Sequence, residues 1–548
     1  KSSVGIYTEN SALTSSGNVS VGKDSIAVSA KNSNVDVTAG TYNINNKSIA
    51  FKIADLGSKT FKGNAGTLNL GEDSIAYYLK NSNITSSNFI DKLAINPTGK
   101  YTYLYAEDSV VNYKNQKTIN SDGSIFTYAK NSDMTFESGN EINSNNKKVT
   151  GIFSENTATG KKIINKGKIN LLGTGSLGIY VDKLSNLKNT GLLELGSQSV
   201  GIFAKDTALV ENSAKIKLRA NGIGIFLVNS KLINSKDIEA IDGEKNVGIY
   251  TEGGKEIINS GDIKSLGSQS VGVFSTDNAS IKNSGKITAG SLGIYAGKGD
   301  VKNSGDIFAG NNSIGIFAKN VDLGAGTKIT VGNKGTAIYV KEGTANLKNN
   351  IEIKARNNSL GIYSNNVILG DNLKIDLGSN STAIYVKSSP VVLGNNTQIK
   401  ASDNSLGVYG TKISSIGNLK INLGSNSTAI YTKNLDVNLS KDTEITAANN
   451  SLGIYGKGNI KLGNNSKLSL GETSTAIYSK EGSANLGKNI EIKVGNKSIG
   501  VYGKGVNLGD SSKLSLGETS TAVYSKEGSV NLGKNVEIKV GNKSTGVY

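Results

Sequence analysis

The sequence predicts an all-β fold: a right-handed parallel β-helix of about 23 coils, each of about 23 residues with three short strands. Three observations carry this. A Gly-Ile-Tyr tripeptide or close variant returns every 21 to 27 residues, from Gly5-Ile6-Tyr7 through Gly178-Ile179-Tyr180, Gly361-Ile362-Tyr363 and Gly453-Ile454-Tyr455 to Gly546-Val547-Tyr548. Between the returns, apolar residues alternate with polar ones: Ile490, Ile492 and Val494 are interleaved with Glu491 and Lys493. That is the period of a strand with one buried face. Turn clusters such as Gly463-Asn464-Asn465, Glu481-Gly482-Ser483 and Gly495-Asn496-Lys497 separate these runs.

The repeat runs the length of the chain. The aromatic position is followed by Tyr78, Tyr105, Tyr128, Phe153, Tyr180, Phe203, Phe226, Tyr250, Phe274, Tyr295, Phe317 and Tyr339, then by tyrosines to Tyr548; two early coils carry Ser29 and Lys52 there. Each coil reads as three strands, for example Ser466 to Leu470, Thr475 to Tyr478 and Asn489 to Val494. The crossover rule gives the right hand. A rise of roughly 4.8 Å per coil gives a rod of about 110 Å. Residues 1–548 read as one continuous β-helix segment of a longer chain, because both ends cut a repeat. Residues 295–548 form the most regular part, a two-coil repeat of about 46 residues in which Gly361, Gly407, Gly453 and Gly500 alternate with Ala383, Ala429, Ala476 and Ala522. Gly463 to Tyr502 and Gly509 to Tyr548 differ at six of 40 positions, the mark of duplication. Residues 80–150 are irregular coils with longer loops: intervals stretch to 27, and Pro97, one of two prolines, lies here. Leucine-rich repeats, propeller blades and calcium-binding nonapeptide repeats are excluded by the missing Leu-x-x-Leu-x-Leu frame, Trp-Asp signature and Gly-Gly-x-Gly-x-Asp string.

Where the tripeptide degrades, its middle position stays apolar (Val28, Phe51, Tyr77, Leu104) while its third accepts Ser29 and Lys52. The isoleucine is therefore expected inside and the aromatic outside, with Thr127 a counterexample. The Gly or Ala before the isoleucine is expected to point out as well, leaving a flat strip beside each ring. Such an aromatic ladder has two readings: a stacking device that fixes register, or a stripe that binds sugar or protein. Asn-rich turns are expected to stack into amide ladders.

Composition narrows the chemistry. Cysteine and histidine are both absent, which removes disulfides, thiolate metal sites and the usual general base. A cysteine-free chain suits secretion through an oxidising compartment. Gly509-Asp510-Ser511-Ser512, the nearest string to a serine-protease signature, sits in a repeat turn. Asp36, Asp322 and Asp376 read as solvated strand or turn residues, with no carboxylate pair singled out. No catalytic residue, cofactor or metal is expected. The net charge of +17 is spread along the chain beside Asp and Glu rather than clustered among aromatics, which argues against nucleic acid and for solubility or attraction to anionic surfaces. The irregular segment carries the candidate contact residues Lys100, Tyr101, Tyr103 and Tyr113. Exposed tyrosine beside lysine is good contact chemistry, and loops of a solenoid often form its binding face. The alternative is an irregular coil whose tyrosines take over ladder and core positions.

The string Ser-x-Gly-Ile-Tyr followed by a Lys/Asn-rich turn, as in Ser176 to Tyr180 and Ser359 to Tyr363, resembles the passenger repeats of large fusobacterial type V autotransporter adhesins, the RadD and galactose-sensitive adhesin group. The resemblance spans the chain and lies in scaffold residues, so no binding residue follows from it. It implies a secreted β-helical passenger, a monomeric rod held at the bacterial outer membrane by a C-terminal β-barrel outside this sequence. It also implies adhesion, through coaggregation with other bacteria, galactose-type glycans of host cells or host immune receptors. The expected function is thus the stalk and binding surface of a bacterial surface adhesin. The alternatives are a secreted β-helix polysaccharide lyase or hydrolase, and a structural spacer with binding elsewhere.

Overall fold

A computed structural model describes residues 2–548 apart from residues 115, 158, 159 and 241. Among the described residues there are only strands and turns, with no helix. The chain divides into two compact units, Lys1–Ala279 and Ser280–Tyr548. Each is a β-solenoid in which strands pair in parallel with their counterparts one coil on. In the second unit one coil runs Thr336–Val340, Thr344–Leu347 and Glu352–Ala355 before returning to Leu360–Ser364. These strands lie on the ladder face, the second face and the third face. Like residues stack: Ile338 on Ile362 and Tyr339 on Tyr363.

The repeat string encodes one corner and one strand. A residue in the left-handed region opens it, asparagine at several corners, as at Asn358 (φ 57°), Asn380 (φ 55°), Asn404 (φ 56°) and Asn426 (φ 55°), and lysine at others, as at Lys497 (φ 56°). Asparagine tolerates that conformation better than other side chains. The next residue is a buried serine whose hydroxyl accepts the backbone N–H of the serine one coil earlier. Ser359 donates to Ser381 at 3.1 Å, Ser381 to Ser405 at 3.3 Å and Ser405 to Ser427 at 3.1 Å. This satisfies a buried amide at each corner. The isoleucines Ile179, Ile249, Ile362 and Ile454 are fully buried, while Tyr180, Tyr250, Tyr363 and Tyr455 are partly exposed, as the exceptions in the sequence predict.

The small residue behaves differently from expectation. Ala337, Ala383 and Ala429 are fully buried, so the Gly/Ala position points inward and no flat outer strip exists. Two successive residues face the core because the pairing ladder skips this position: Thr336 pairs with Leu360 and Ile338 with Ile362, but Ala337 and Gly361 form no pair. The strand bends there and loses its period of two. Smallness is needed because a Cβ at Gly361 would lie 2.5 Å from the Ala383 carbonyl oxygen, and one at Gly407 2.3 Å from that of Ala429.

Amide ladders form as expected. In the first unit the side chain of Asn165 donates to Asn189, Asn189 to Asn212, Asn212 to Asn234 and Asn234 to Asn259, at 2.6–2.7 Å, all buried.

The irregular segment is where the first unit changes cross-section. The second-face strands Ala12–Ser15, Asn34–Val37, Phe61–Gly63 and Phe89–Asp91 form one four-stranded sheet. Val19–Val21, Thr41–Ile44, Thr67–Leu70 and Ala94–Pro97 form another. Both stop there. A new second face begins at Asn83–Ile84, and a new third face at Lys117–Thr118. Pro97 lies in the edge strand of the sheet that ends, where a missing N–H costs no ladder bond. The ladder face runs through unbroken: Tyr78 pairs with Tyr105 and Tyr105 with Tyr128.

Thr127 explains itself in this setting. It sits between Leu104 and Ile152 in the ladder-face core, fully buried, and its hydroxyl has no hydrogen-bond partner. An orphaned buried hydroxyl costs about 1–3 kcal/mol. Thr127→Val is therefore expected to stabilise the protein by about 1 kcal/mol in equilibrium denaturation; a loss of stability would mean that the hydroxyl has a partner.

Candidate functional site: the tyrosine ladder and the interrupted coils

The residues singled out in the irregular segment divide sharply. Lys100 is on the surface and pairs with Asp73 at 3.0 Å; its ammonium is held above the usual lysine range by that hydrogen bond and charge. Tyr101, Tyr103 and Tyr113 are core residues with at most 3% of their surface exposed, so they cannot serve as contact residues. For Tyr103 the cause is the inward small position; Tyr101 stands in register with the buried Ser74, and Tyr113 with the buried Phe136 of the second face. Tyr103 and Phe126 occupy the small position, where neighbouring coils have Ala76 and Gly151, and they fill the wider cross-section. Phe51, Phe61, Tyr77, Phe89, Tyr103 and Tyr113 form a connected internal cluster with centroid distances of 5.1–6.1 Å.

Inside that cluster lies a buried carboxylate that the sequence reading passed over. Asp91 accepts from the hydroxyls of Tyr77 and Tyr103, both at 2.5 Å, and from the backbone N–H of Leu93 at 3.0 Å. Lys117 adds an ion pair at 2.8 Å and also lies 5.6 Å from the Tyr103 ring centre. Because Tyr103 donates to Asp91, Tyr113 donates to Tyr103, at 2.7 Å. Burial first, then the Asp91 charge, push the phenols of Tyr77 and Tyr103 well above the ordinary tyrosine range. These donors to Asp91 come from coils that meet at the change of cross-section. The arrangement ties that junction together around a buried carboxylate.

The accessible aromatic feature is the ladder. In the second unit the rings from Tyr339 to Tyr548 stack with centroids 4.4–5.7 Å apart and planes within 15° of parallel. Spacing alternates with the Gly/Ala repeat. It is 4.4 Å from Tyr385 to Tyr409 and 4.6 Å from Tyr431 to Tyr455, but 5.7 Å from Tyr409 to Tyr431. Each ring face is covered by its neighbour, so the ladder offers edges and hydroxyls to solvent rather than faces on which a sugar could stack. Burial, followed by the neighbouring phenol, raises the pKa of Tyr385 and Tyr455, which keeps these hydroxyls protonated as donors. Beside the rings runs an open groove of about 550 Å³ lined by Tyr385, Tyr409, Tyr431, Leu406, Asn404 and Lys433. A related groove of about 440 Å³ follows at Tyr455, Tyr478 and Lys480.

The second unit has its own irregularity. Its second-face ladder stops at Asn366–Leu369, and a separate sheet begins at Val391–Leu393, directly after Pro390. The outward column of this face is polar elsewhere: Lys302, Asp322 and Asn346 precede it, and Ser414, Asn438 and Lys461 follow. At the break it carries Ile368 and Val392, both exposed, with exposed Ile416 and Leu435 nearby. Pro390 and the apolar Ile368 and Val392 are the signals that could have drawn a sequence reading here.

Among the described residues no group of three or more potential ligands is placed to hold a metal ion. The carboxylates named from the sequence face amides or solvent: Asn64 donates to Asp36, Asn346 donates to Asp322, and Asp376 is exposed.

The Asp91 cluster makes a definite demand. Asp91→Asn removes the charge opposite Lys117 and puts an amide donor against phenol donors. It is expected to cost about 3 kcal/mol in denaturant unfolding, and an unchanged midpoint would contradict the buried arrangement. Comparison with protein-family models, curated proteins and solved structures finds no match to this chain, so its function has to be read from this geometry.

Proposed function

We propose that this chain is the stalk and binding surface of a secreted bacterial adhesin that attaches to host cells or to other bacteria. The observation that carries the reading is recurrence at the surface. The Tyr385–Tyr431 groove with Lys433 is followed by a groove of the same make with Lys480, because each pair of coils places tyrosine, threonine or leucine, and lysine outward in the same order. Repeated weak contacts on one scaffold raise avidity without any single deep pocket. The partners are cell-surface glycans, galactose-type sugars among them, or surface proteins of host or bacterial cells. The hydroxyl-and-amide lining of the grooves suits either.

The proton donor of a glycosidase is a carboxyl whose pKa is raised. Glu352 on the third face does not supply that donor: its hydrogen bond to Lys354 at 2.6 Å holds it below the ordinary glutamate range.

The test is a screen of the chain, displayed on beads and as soluble monomer, against glycans, host cells and bacterial cells. The expected result is bead capture of at least one cell type or glycan, weak competition by the monomer, and unchanged ligand length. Release of new sugar ends would establish the enzyme instead, and absence of capture across the screen would leave a spacer.

A further inference from the structure

The third face of the second unit carries a charge ladder with one missing member. Along its first outward column the residues stack in register as Lys328, Glu352, Lys374, Gln398, Lys420, Glu444, Lys467, Glu491, Lys513 and Glu537. Lysine and an acid alternate at every coil except at Gln398, where the pattern calls for glutamate. The alternation makes cross-coil ion pairs elsewhere, Lys328 to Glu352 at 3.7 Å, Lys420 to Glu444 at 3.0 Å and Lys467 to Glu491 at 3.6 Å. At the gap it cannot. Lys374 faces the neutral amide, and among the described residues neither Lys374 nor Lys400 makes an ion pair within 4 Å, whereas Lys354 and Lys420 do. The neighbouring column adds to the imbalance: Lys354, Asp376 and Lys400 are followed by Asn422. Around the gap is an open groove of about 340 Å³ lined by Lys354, Lys374, Lys400 and Lys420 with Glu352 and Asp376; Lys354 pairs with Glu352 and Lys420 with Glu444, which leaves Lys374 and Lys400 to set its positive charge. Gln398 and Asn422 lie in the same groove. These coils also contain the second-face break at Pro390.

We infer that this groove binds an anionic polysaccharide, with its sulfate or carboxylate groups on Lys374 and Lys400 and its hydroxyls on the amides of Gln398 and Asn422. The inference rests on the adhesin reading and supplies it with a ligand class. Lys374 and Lys400 stand on adjacent coils, a rise of about 4.8 Å, a spacing suited to a polymer bearing closely and regularly spaced charges. Nucleic acid fits less well, because the outward residues here provide no aromatic platform for bases. An extended peptide fits less well, because the strands Lys374–Leu377 and Thr397–Ala401 are paired on both sides and offer no free edge for strand addition. An open groove of separated ammonium and amide groups matches a hydrated, charged sugar chain.

Gln398→Glu supplies the test, because it restores the ladder. Gln398 is exposed and stands in register between Lys374 and Lys420, so the new carboxylate has partners on both sides and the fold keeps its stability. Asn438→Asp makes the same change of charge at an exposed position of the second face. The intact chain and both variants are measured against immobilised heparin, hyaluronan and neutral dextran at one fixed salt concentration, with thermal unfolding alongside. The expected result is binding to one or both polyanions and not to dextran. Heparin alone assigns sulfate recognition, and hyaluronan as well assigns recognition of negative charge in general. Gln398→Glu should weaken the binding at least tenfold without lowering the unfolding temperature, and Asn438→Asp should leave it unchanged. Equal losses in the two variants would show diffuse attraction to a chain of net charge +17 and overturn the inference. Absence of polyanion binding would overturn it too; bead capture of cells in that case would leave the adhesin reading standing, whereas absence of both would remove the two together.

Discussion

Parallel pairing between successive coils is the constraint on which the rest of the structure depends. It brings each residue against its own counterpart one coil away, as Ile338 against Ile362 and Tyr363 against Tyr385. A residue type is therefore tolerated only if it can stack on itself or on its partner in the repeat. Isoleucine can do so in the core, tyrosine on the outside, serine and asparagine through hydrogen bonds that chain from coil to coil, and lysine by alternating with an acid along much of the third face of the second unit. The same constraint makes stability a property of neighbouring coils rather than of any distant contact. Each stacked column is thus also a record of what its face must do, and a departure from the column identifies a place where something else is required.

Both prolines lie at such departures. Pro97 belongs to the edge strand of a sheet that ends, and Pro390 immediately precedes a strand that begins one. The two irregularities serve different ends. In the first unit the break accompanies a change of cross-section, filled by inward aromatic rings and tied by Asp91 to Tyr77, Tyr103, Lys117 and the Leu93 backbone. That is internal architecture. In the second unit the coils around the break keep a normal aliphatic core and change their outer columns instead, to Ile368 and Val392 on one face and Gln398 on another. Change confined to the surface is what a recognition site needs.

Much of this was legible in the sequence. The class of fold, the coil length and the inward isoleucine with the outward tyrosine followed from the repeat and from its exceptions at Phe51, Lys52 and Leu104. The direction of the Gly/Ala position did not, because strict alternation along a strand places it outside, and only the skipped pair at the corner turns it inward. Tyr103 was misread for the same reason: it occupies that position, and its neighbours Tyr101 and Tyr105 made it look like part of a surface cluster. Asp91 gave no signal, since a lone aspartate near a turn is indistinguishable in sequence from the many solvated ones. Gln398 was legible in principle, as the one neutral residue in an alternating Lys/Glu column, but the column becomes visible only once the register is fixed.

Residue-resolved hydrogen exchange tests the coil-to-coil account most directly. Amides that donate to the coil ahead or behind, such as Ile499 to Ser474 at 2.9 Å and Thr521 to Ser498 at 2.9 Å, should be strongly protected. Protection should recur with the coil period on all three faces, and exposed turn tips should exchange fast. Protection lacking that period, or confined to one face while the other two exchange freely, would contradict a structure held together by parallel pairing between coils.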